Sequence, residues 1–301
     1  MAQKDRIDLF GVVTLTLFSL LLGFNQVVIK VTNDGLQPVF FAGLRSLGGA
    51  LCIYLWMRAR GIAVTVKPGT VPYGILIGLV FSAEFICLFI ALDLTTVTRT
   101  SVIFYTMPVW LAIGAHFLIP GETLTRTKVA GLALAVAGVA IAILLRDRSG
   151  EGEASLAGDL FALAAAFGWA GIALCARATP LKDVRPEMQL FWQLCVSAVL
   201  ILAASLAFGP LLRDPEPIHW AGLAFQIVAI VSAGFLLWMW LLSIYPPASV
   251  AAFSFLAPIF GVGLGWLLLG EDVGPEILVA LVLVCAGLIL INRPRKAPVP
   301  A

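Results

Sequence analysis

Two residues of opposite charge lie deep inside long apolar segments of this sequence, where a charge is rare. Arg45 is about nine residues from the nearer end of its segment, on the order of 13 Å, and Glu84 about eight residues from the nearer end of the next, on the order of 12 Å. A charge that faced lipid there would cost roughly 2.5–3.5 kcal/mol. The two residues could form an ion pair that joins their segments, or could face a cavity and bind a proton or a zwitterionic substrate.

Two prolines occupy matching positions in two other apolar segments. Pro108 and Pro258 each lie in a segment long enough to be a helix. Proline lacks an N–H group and displaces the carbonyl four residues earlier, here at Phe104 and Ser254. Paired interruptions of this kind mark a hinge or a binding site, and we interpret both prolines as kink or hinge residues. The alternative is a bend that only shapes packing, since proline is common in membrane helices.

Polar and aromatic residues near the middle of the apolar segments could form the wall of a small-molecule cavity. Such cavities are mostly apolar and carry a few well-placed donors and acceptors. The same residues could instead join helices, at about 0.6 kcal/mol for each polar contact. The candidate wall residues are Asn25, Gln26, Glu84, Phe85, Tyr105, Trp169, Gln193, Phe235, Trp238, Phe253 and Ser254.

The sequence contains none of the patterns that mark catalysis, metal binding or nucleotide binding. It lacks G-x-x-x-x-G-K-[ST], G-x-S-x-G and H-E-x-x-H. Its five cysteines lie inside apolar segments without C-x-x-C spacing, and its two histidines have no partner at metal-ligand spacing. We therefore predict no catalytic residue, no metal, no cofactor and no nucleic-acid partner.

The composition is that of a membrane protein. Hydrophobic residues make up 61% and charged residues 12% of the 301 residues, whereas soluble domains carry roughly 45–50% and about 25%. The apolar segments are near 20 residues long, which is about the length that crosses a hydrocarbon core ~30 Å thick. We predict an all-α integral membrane protein with ten transmembrane helices. They cover residues 9–30, 36–58, 72–92, 96–118, 127–145, 156–176, 187–208, 219–243, 248–269 and 274–292.

The basic residues predict how these helices are oriented. If the N-terminus is cytoplasmic, thirteen lysines and arginines fall in cytoplasmic segments and five on the other side, with Arg45 left inside a span. Because cytoplasmic loops carry an excess of basic residues, both termini are predicted to be cytoplasmic. The first apolar run, 9–29, is too long for the core of a signal peptide and is predicted to be the first membrane helix.

The chain contains two copies of a five-segment pattern. The first copy carries Ser101-Val102, Pro108, Gly121-Glu122 and Ala137-Gly138; the second carries Ser249-Val250, Pro258, Gly270-Glu271 and Ala286-Gly287. A unit with an odd number of spans enters the bilayer in opposite orientations when it is repeated, as in many proteins that work by alternating access. We predict two inverted five-helix repeats, 1–148 and 155–301, joined by an extracytoplasmic linker over 149–154.

These features resemble the drug/metabolite transporter superfamily. The resemblance is carried by Phe104-Tyr105-Thr106-Met107-Pro108 with Gly121-Glu122 in one half, and by Phe255-Leu256-Ala257-Pro258 with Gly270-Glu271 in the other. It is closest to EamA-type exporters, and among them to bacterial exporters of aromatic and neutral amino acids. The resemblance implies a bacterial inner-membrane exporter whose central cavity is lined by spans 1, 3, 4, 6, 8 and 9. The second half has Gln193 and Gly234 where the first has Arg45 and Glu84, which leaves the roles of those two charges open.

The predicted function is therefore the export of small metabolites by alternating access, with aromatic and other neutral amino acids as the first candidates. The energy source could be the substrate gradient or protons. The alternatives are an exporter of another metabolite or of a drug-like compound and, more remotely, a membrane-embedded enzyme that acts on lipid. The expected surroundings are membrane lipid and a small-molecule substrate, with no obligate protein partner and no enzymatic activity.

Overall fold

The regular structure of the described part of the chain is helical. A computed structural model describes residues 7–145, 155–245, 250 and 253–292, and these contain helices and no strand, apart from one isolated bridge between Leu36 and Leu212. The predicted linker 149–154 lies outside the described residues. The all-helical fold predicted from composition is confirmed.

The described part of the first half, residues 7–145, contains six helices that correspond to five predicted spans. The fourth span is divided in two, because the helix stops at Phe104 and resumes at Met107, with Pro108 as the second residue of the new helix. The helices are α1 (Leu9–Gly35), α2 (Pro38–Ala59), α3 (Val71–Leu94), α4 (Val97–Phe104), α5 (Met107–Leu118) and α6 (Arg126–Leu144).

The second half follows the same order with different irregularities. A π-helical segment, Gln226–Gly234, interrupts the eighth span, and the ninth has a 3-10 turn, Phe253–Phe255, three residues before Pro258. The helices are α7 (Leu156–Ala178), α8 (Pro186–Ser205), α9 (Pro217–Phe225), α10 (Phe235–Ile244), α11 (Leu256–Leu269) and α12 (Pro275–Ile291).

Among the residues that the structure describes, eight helical stretches are long and apolar enough to cross a membrane. Two of them, Val97–Leu118 and Pro217–Ile244, run through the interruptions just described. The apolar helices α11 and α12 are shorter, at 14 and 17 residues. Ten membrane crossings therefore remain a prediction, which requires these two shorter helices to span the bilayer as well.

Local sequence explains where several helices begin. Side chains of Asp8, Thr96, Thr125 and Ser155 accept hydrogen bonds from backbone N–H groups in the first turns of α1, α4, α6 and α7. Such caps satisfy donors that the first turn of a helix leaves without an internal partner. Helices α2, α8 and α12 begin instead with proline, which has no N–H group to satisfy.

The helix–helix contacts between the two halves are largely symmetric: a contact that a helix of one half makes is also made by its counterpart in the other half. Helix α6 packs on α12, α2 on α8, and α4 on α11, each helix against its own counterpart. Helix α3 packs on α7 and α8, while the eighth span, which corresponds to α3, packs on α1 and α2. Helix α1 likewise packs on α11, and α7 on α4 and α5. The seam between the halves therefore runs through the middle of the molecule.

Candidate functional site

A cavity of about 410 Å³ lies in this seam. Its wall includes residues of spans 1, 3, 4, 6, 8 and 9, and also Arg45 of α2, Leu190 of α8 and Asn292 just after α12. Among the residues singled out from sequence, those that line it are Asn25, Gln26, Arg45, Glu84, Phe85, Tyr105, Pro108, Trp169, Phe235, Trp238 and Phe253.

Two of the residues singled out from sequence, Gln193 and Pro258, are not part of this wall. Gln193 donates a hydrogen bond from Nε2 to the carbonyl of Gln189, one turn earlier in its own helix, at 3.1 Å. Pro258 is buried in α11 but does not reach the cavity. The side chain of Ser254 lies outside the described residues.

Arg45 and Glu84 both line the cavity, and no ion pair of 4.0 Å or less joins them. The guanidinium of Arg45 lies instead over the ring of Phe85, with its Cζ 4.0 Å from the ring centroid. Both side chains are buried, at 5% and 1% exposure. Nε and Nη1 of Arg45 and both carboxylate oxygens of Glu84 have no hydrogen-bond partner among the described residues.

The neutral polar residues of the wall also tie helices together. Gln226 in the π-helical segment donates a hydrogen bond to Oδ1 of Asn25 in α1. Ser101 donates to Oε1 of Gln26 at 2.9 Å, and the hydroxyl of Tyr105 donates to the carbonyl of Leu22 at 3.0 Å. These residues thus join helices while they also face the cavity, so the two interpretations of them from sequence are compatible.

Aromatic rings form much of the remaining wall. Phe18 and Trp238 are stacked with centroids 5.4 Å apart, and Phe81 packs against Phe85 at 4.5 Å. Together with Trp169 these rings give the cavity an apolar surface that touches the two charged groups. Such a mixture of apolar wall and few polar groups is typical of small-molecule sites.

The cavity is not centred along the bundle. We call the end where α1 begins and α12 ends the terminal end, and the end where α1 stops and α4 begins the opposite end. The wall reaches Asn292, the residue after α12, at the terminal end. Towards the opposite end it stops at Leu88, six residues before the end of α3, or about 9 Å along the helix.

Polar contacts between the halves close the opposite end. Arg213 binds Asp93 through two hydrogen bonds of 2.6 and 3.1 Å, and its backbone N–H donates to the carbonyl of Gly35 at 2.8 Å. Gln37 donates from Nε2 to the carbonyl of Ser205 at 2.8 Å. These contacts join loops and helix ends of both halves at the end that the wall of the cavity does not reach.

A fully buried ion pair lies at the opposite end of the bundle, and the sequence did not predict it. Arg99 in α4 binds Asp159 in α7 through Nη2 at 2.6 Å and Nε at 3.1 Å, and both side chains are completely buried. Thr95 also donates to Asp159, at 3.0 Å. From the sequence, Arg99 was counted among the five basic residues on the side of the membrane away from the termini. The nearby Asp159 in the first turn of the sixth span was the available signal.

The two Gly-Glu motifs have different environments. At the opposite end, Glu271 accepts hydrogen bonds from the backbone N–H groups of Val97 and Thr98, at 2.6 and 2.8 Å, and so caps α4 of the other half. At the terminal end, Glu122 contacts the side chains of Arg177 and Lys128, at 2.9 and 3.7 Å. Partial burial acts to raise the pKa of the Glu122 carboxyl, but these cationic partners hold that pKa below its ordinary value.

The fold and the cavity define a multi-pass membrane transporter built from two repeats. The chain belongs to the EamA-like transporter family of the drug/metabolite transporter superfamily, whose model matches residues 9–144 and 156–293. The family predicted from the paired motifs is confirmed.

The chain is also similar to several bacterial proteins and to one solved structure. An uncharacterized transporter, YoaV of Bacillus subtilis, is 24% identical over 94% of this chain and 95% of its own. Proteins named "Probable amino-acid metabolite efflux pump" from Salmonella typhimurium and Escherichia coli are 29% and 28% identical, over 88% and 96% of this chain and 89% and 94% of their own. One solved structure, 20% identical, has a TM-score of 0.65 over 92% of this chain and 95% of its own, and that likeness shows the fold alone.

Proposed function

We propose that the protein exports small metabolites, with aromatic and other neutral amino acids as its first substrates, by alternating access between two inverted repeats. The observation that carries this proposal is the cavity in the seam, whose wall comes from both halves. Its volume of about 410 Å³ lies in the lower part of the range of roughly 300–1,000 Å³ found for small-molecule sites. Rocking of the two halves would transfer such a cavity from one end to the other.

The membrane orientation supports the direction of transport. We infer ten crossings with both termini in the cytoplasm of a bacterial inner membrane, on the excess of basic residues in the loops on that side. The terminal end then faces the cytoplasm, and the cavity extends to that end. An exporter loads its substrate from this side.

The substrate class rests on the wall of the cavity and on the relatives. Stacked and tilted aromatic rings favour a substrate with an apolar or aromatic side chain. Two relatives carry the name of an amino-acid metabolite efflux pump, at 28% and 29% identity. A phosphorylated cargo would require several basic groups, whereas Arg45 is the one basic residue among the described residues that line the cavity.

Counterflow into proteoliposomes tests this function. Vesicles with the purified protein are loaded with unlabelled phenylalanine and offered labelled phenylalanine, threonine or methionine. We expect the label to accumulate above the level of protein-free liposomes, and a pH gradient across the same vesicles shows whether protons contribute. No accumulation of any of the three would overturn the amino-acid assignment and leave another metabolite or a drug-like compound as the cargo.

A further inference from the structure

We propose that Arg45 and Glu84 are the two poles of a binding site for a zwitterion. The guanidinium would receive the substrate's carboxylate and the carboxylate of Glu84 its ammonium group. This inference rests on the proposed function and names the part of an amino acid that the cavity recognises.

The first argument is that polar atoms of both groups are buried and make no hydrogen bond within the part of the chain that the structure describes. Nε and Nη1 of Arg45 and both oxygens of Glu84 have no hydrogen-bond partner among the described residues. Elsewhere in the same protein a buried pair, Arg99 and Asp159, is bonded directly at 2.6 and 3.1 Å. A buried charge is costly unless something compensates it, and a substrate that lies between Arg45 and Glu84 would compensate both.

The second argument is the position of the two groups on the wall. The guanidinium of Arg45 is held on the face of Phe85, with its Cζ 4.0 Å from the ring centroid, and Glu84 lines the same cavity as this ring. Helix α7 packs closely behind Glu84, because a Cβ atom at Gly168 would lie 2.8 Å from the Cβ of Glu84. The aromatic wall begins directly beside the charges, where the side chain of a bound amino acid would lie.

The third argument is the charge balance. Arg45 and Glu84 are the two charged residues among the described residues of the wall, and they carry opposite signs. A cation or an anion alone would satisfy one of them and leave the other buried without a partner. The aligned positions in the second half are Gln193 and Gly234, so the repeat supplies one such site per chain.

Analogues of phenylalanine that lack one charge test the site on the unaltered protein. Phenethylamine lacks the carboxylate and 3-phenylpropionate lacks the ammonium group. We expect each to compete with labelled phenylalanine at least about tenfold more weakly than phenylalanine does, since one hydrogen-bonded charge is lost. Equal competition by either analogue overturns the site while amino-acid transport stands. If no amino acid is transported at all, both this inference and the proposed substrate class fail.

Variants sharpen the same test. In Arg45→Gln the preference should shift towards phenethylamine by about tenfold, and in Glu84→Gln towards 3-phenylpropionate, because each variant removes one pole. Arg60→Gln, at an exposed position after α2, is the control that loses a charge away from the cavity. Arg45→Lys and Glu84→Asp keep the charges in case the neutral variants do not fold. If Arg45→Gln and Glu84→Gln both kept the preference of the unaltered protein between phenethylamine and 3-phenylpropionate, the proposal would be contradicted.

A separate observation carries a second inference: we propose that Glu271 holds the opposite end closed. Its carboxylate joins the end of α11 in one half to the first N–H groups of α4 in the other, at 2.6 and 2.8 Å. A carboxylate at a helix N-terminus is favoured both by these donors and by the helix dipole. Because α4 and α11 belong to different halves, this contact has to break before the opposite end can open.

The space around Glu271 fits this role. A Cβ atom at Gly265 would lie 2.5 Å from Oε2 of Glu271 and 3.1 Å from Cγ2 of Thr98, so α11 approaches α4 closely at this point. The helix then ends at Gly270 in a left-handed conformation with φ of 67°, which turns the chain towards α4. The turn at Gly270 therefore positions the carboxylate of Glu271 at the start of α4.

Thiol labelling from outside the cell measures this closure. Thr100 lies in α4 and is fully buried, and its hydroxyl oxygen makes no hydrogen bond to any residue that the structure describes, so Thr100→Cys provides a probe position. A membrane-impermeant maleimide should label this position about tenfold faster when Glu271→Gln is added, since charged hydrogen bonds to the helix start are lost. Glu122→Gln is the matched control. An unchanged rate with Glu271→Gln, or an equal rise with Glu122→Gln, would overturn the inference.

Discussion

The two Gly-Glu motifs share one sequence pattern and differ in what their carboxylates bind. Glu271 binds backbone N–H groups at the start of α4, inside the closed opposite end. Glu122 binds the side chains of Arg177 and Lys128 at the terminal end and is 37% exposed. We propose that the two repeats are related by inversion, which puts the two motifs at opposite ends of the bundle. The same residue then has a different partner in each half.

The glycines sixteen residues after these glutamates, Gly138 and Gly287, have equivalent contacts in the two halves, unlike the glutamates. A Cβ atom at Gly138 would lie 2.8 Å from the carbonyl oxygen of Ala280, and one at Gly287 would lie 2.5 Å from that of Gly131. Ala280 and Gly131 are themselves equivalent positions, nine residues after the two glutamates. The packing of α6 on α12 is thus the same in both halves. We infer that this pair is a fixed part of the bundle, while the ends that carry the glutamates change.

The largest expected effect is on the buried ion pair of the opposite end. Arg99→Met leaves Asp159 buried without its partner, which should lower the free energy of unfolding by about 3–5 kcal/mol. The double variant Arg99→Met/Asp159→Leu should recover much of that loss, because no charge then remains buried. Denaturant unfolding in detergent micelles measures both. Arg177→Gln breaks the exposed pair at the terminal end. If Arg99→Met lowered the free energy of unfolding no more than Arg177→Gln does, the two ion pairs would not differ in their contribution to stability.

The next effect tests the equivalence of the two halves along α6 and α12. Gly138→Ala and Gly287→Ala each place a methyl group against a backbone carbonyl that cannot move aside. Each should cost about 1–3 kcal/mol, as overpacking does in other proteins. Gly263→Ala is the control, since a Cβ there would meet no atom within 4 Å. Denaturant unfolding measures the three variants. If Gly138→Ala or Gly287→Ala cost no more stability than Gly263→Ala, the packing of α6 on α12 would not be symmetric.

Sequence reasoning found the residues that stand out against an apolar background. Arg45 and Glu84 were recognised because a charge inside a span is costly, and the break at Pro108 because proline cannot continue a helix. Arg99 was missed, since a charge beside a span boundary looks like an extramembrane charge until its partner in another helix is known. The π-helical segment was missed as well, because the apolar run through it contains no proline and its one glycine is the last residue, Gly234.

The partners of the repeated motif were also beyond the reach of sequence. The spacing of Gly270-Glu271 predicts a turn between two spans, but α4 is more than 170 residues away in the chain. Only packing of the halves shows which carboxylate meets a helix start. Gln193 illustrates the opposite case, because a polar residue inside a span was assigned to the cavity and instead bonds to Gln189 in its own helix.

The smallest expected effect concerns Glu122. Partial burial acts against its ionised form, but Arg177 and Lys128 outweigh this and hold the pKa of Glu122 below its ordinary value. Its contacts therefore stabilise the protein at pH above the ordinary glutamate value of about 4.3, and this contribution is lost as the pH falls through the lower folded value. Because the pair is partly exposed, Glu122→Gln should cost less than about 1 kcal/mol at pH 7. The unfolding curves of Glu122→Gln and of the unaltered protein should become the same at acidic pH. A loss as large as that from Arg99→Met, or one that persists at low pH, would mean that Glu122 closes its own end in the way proposed for Glu271.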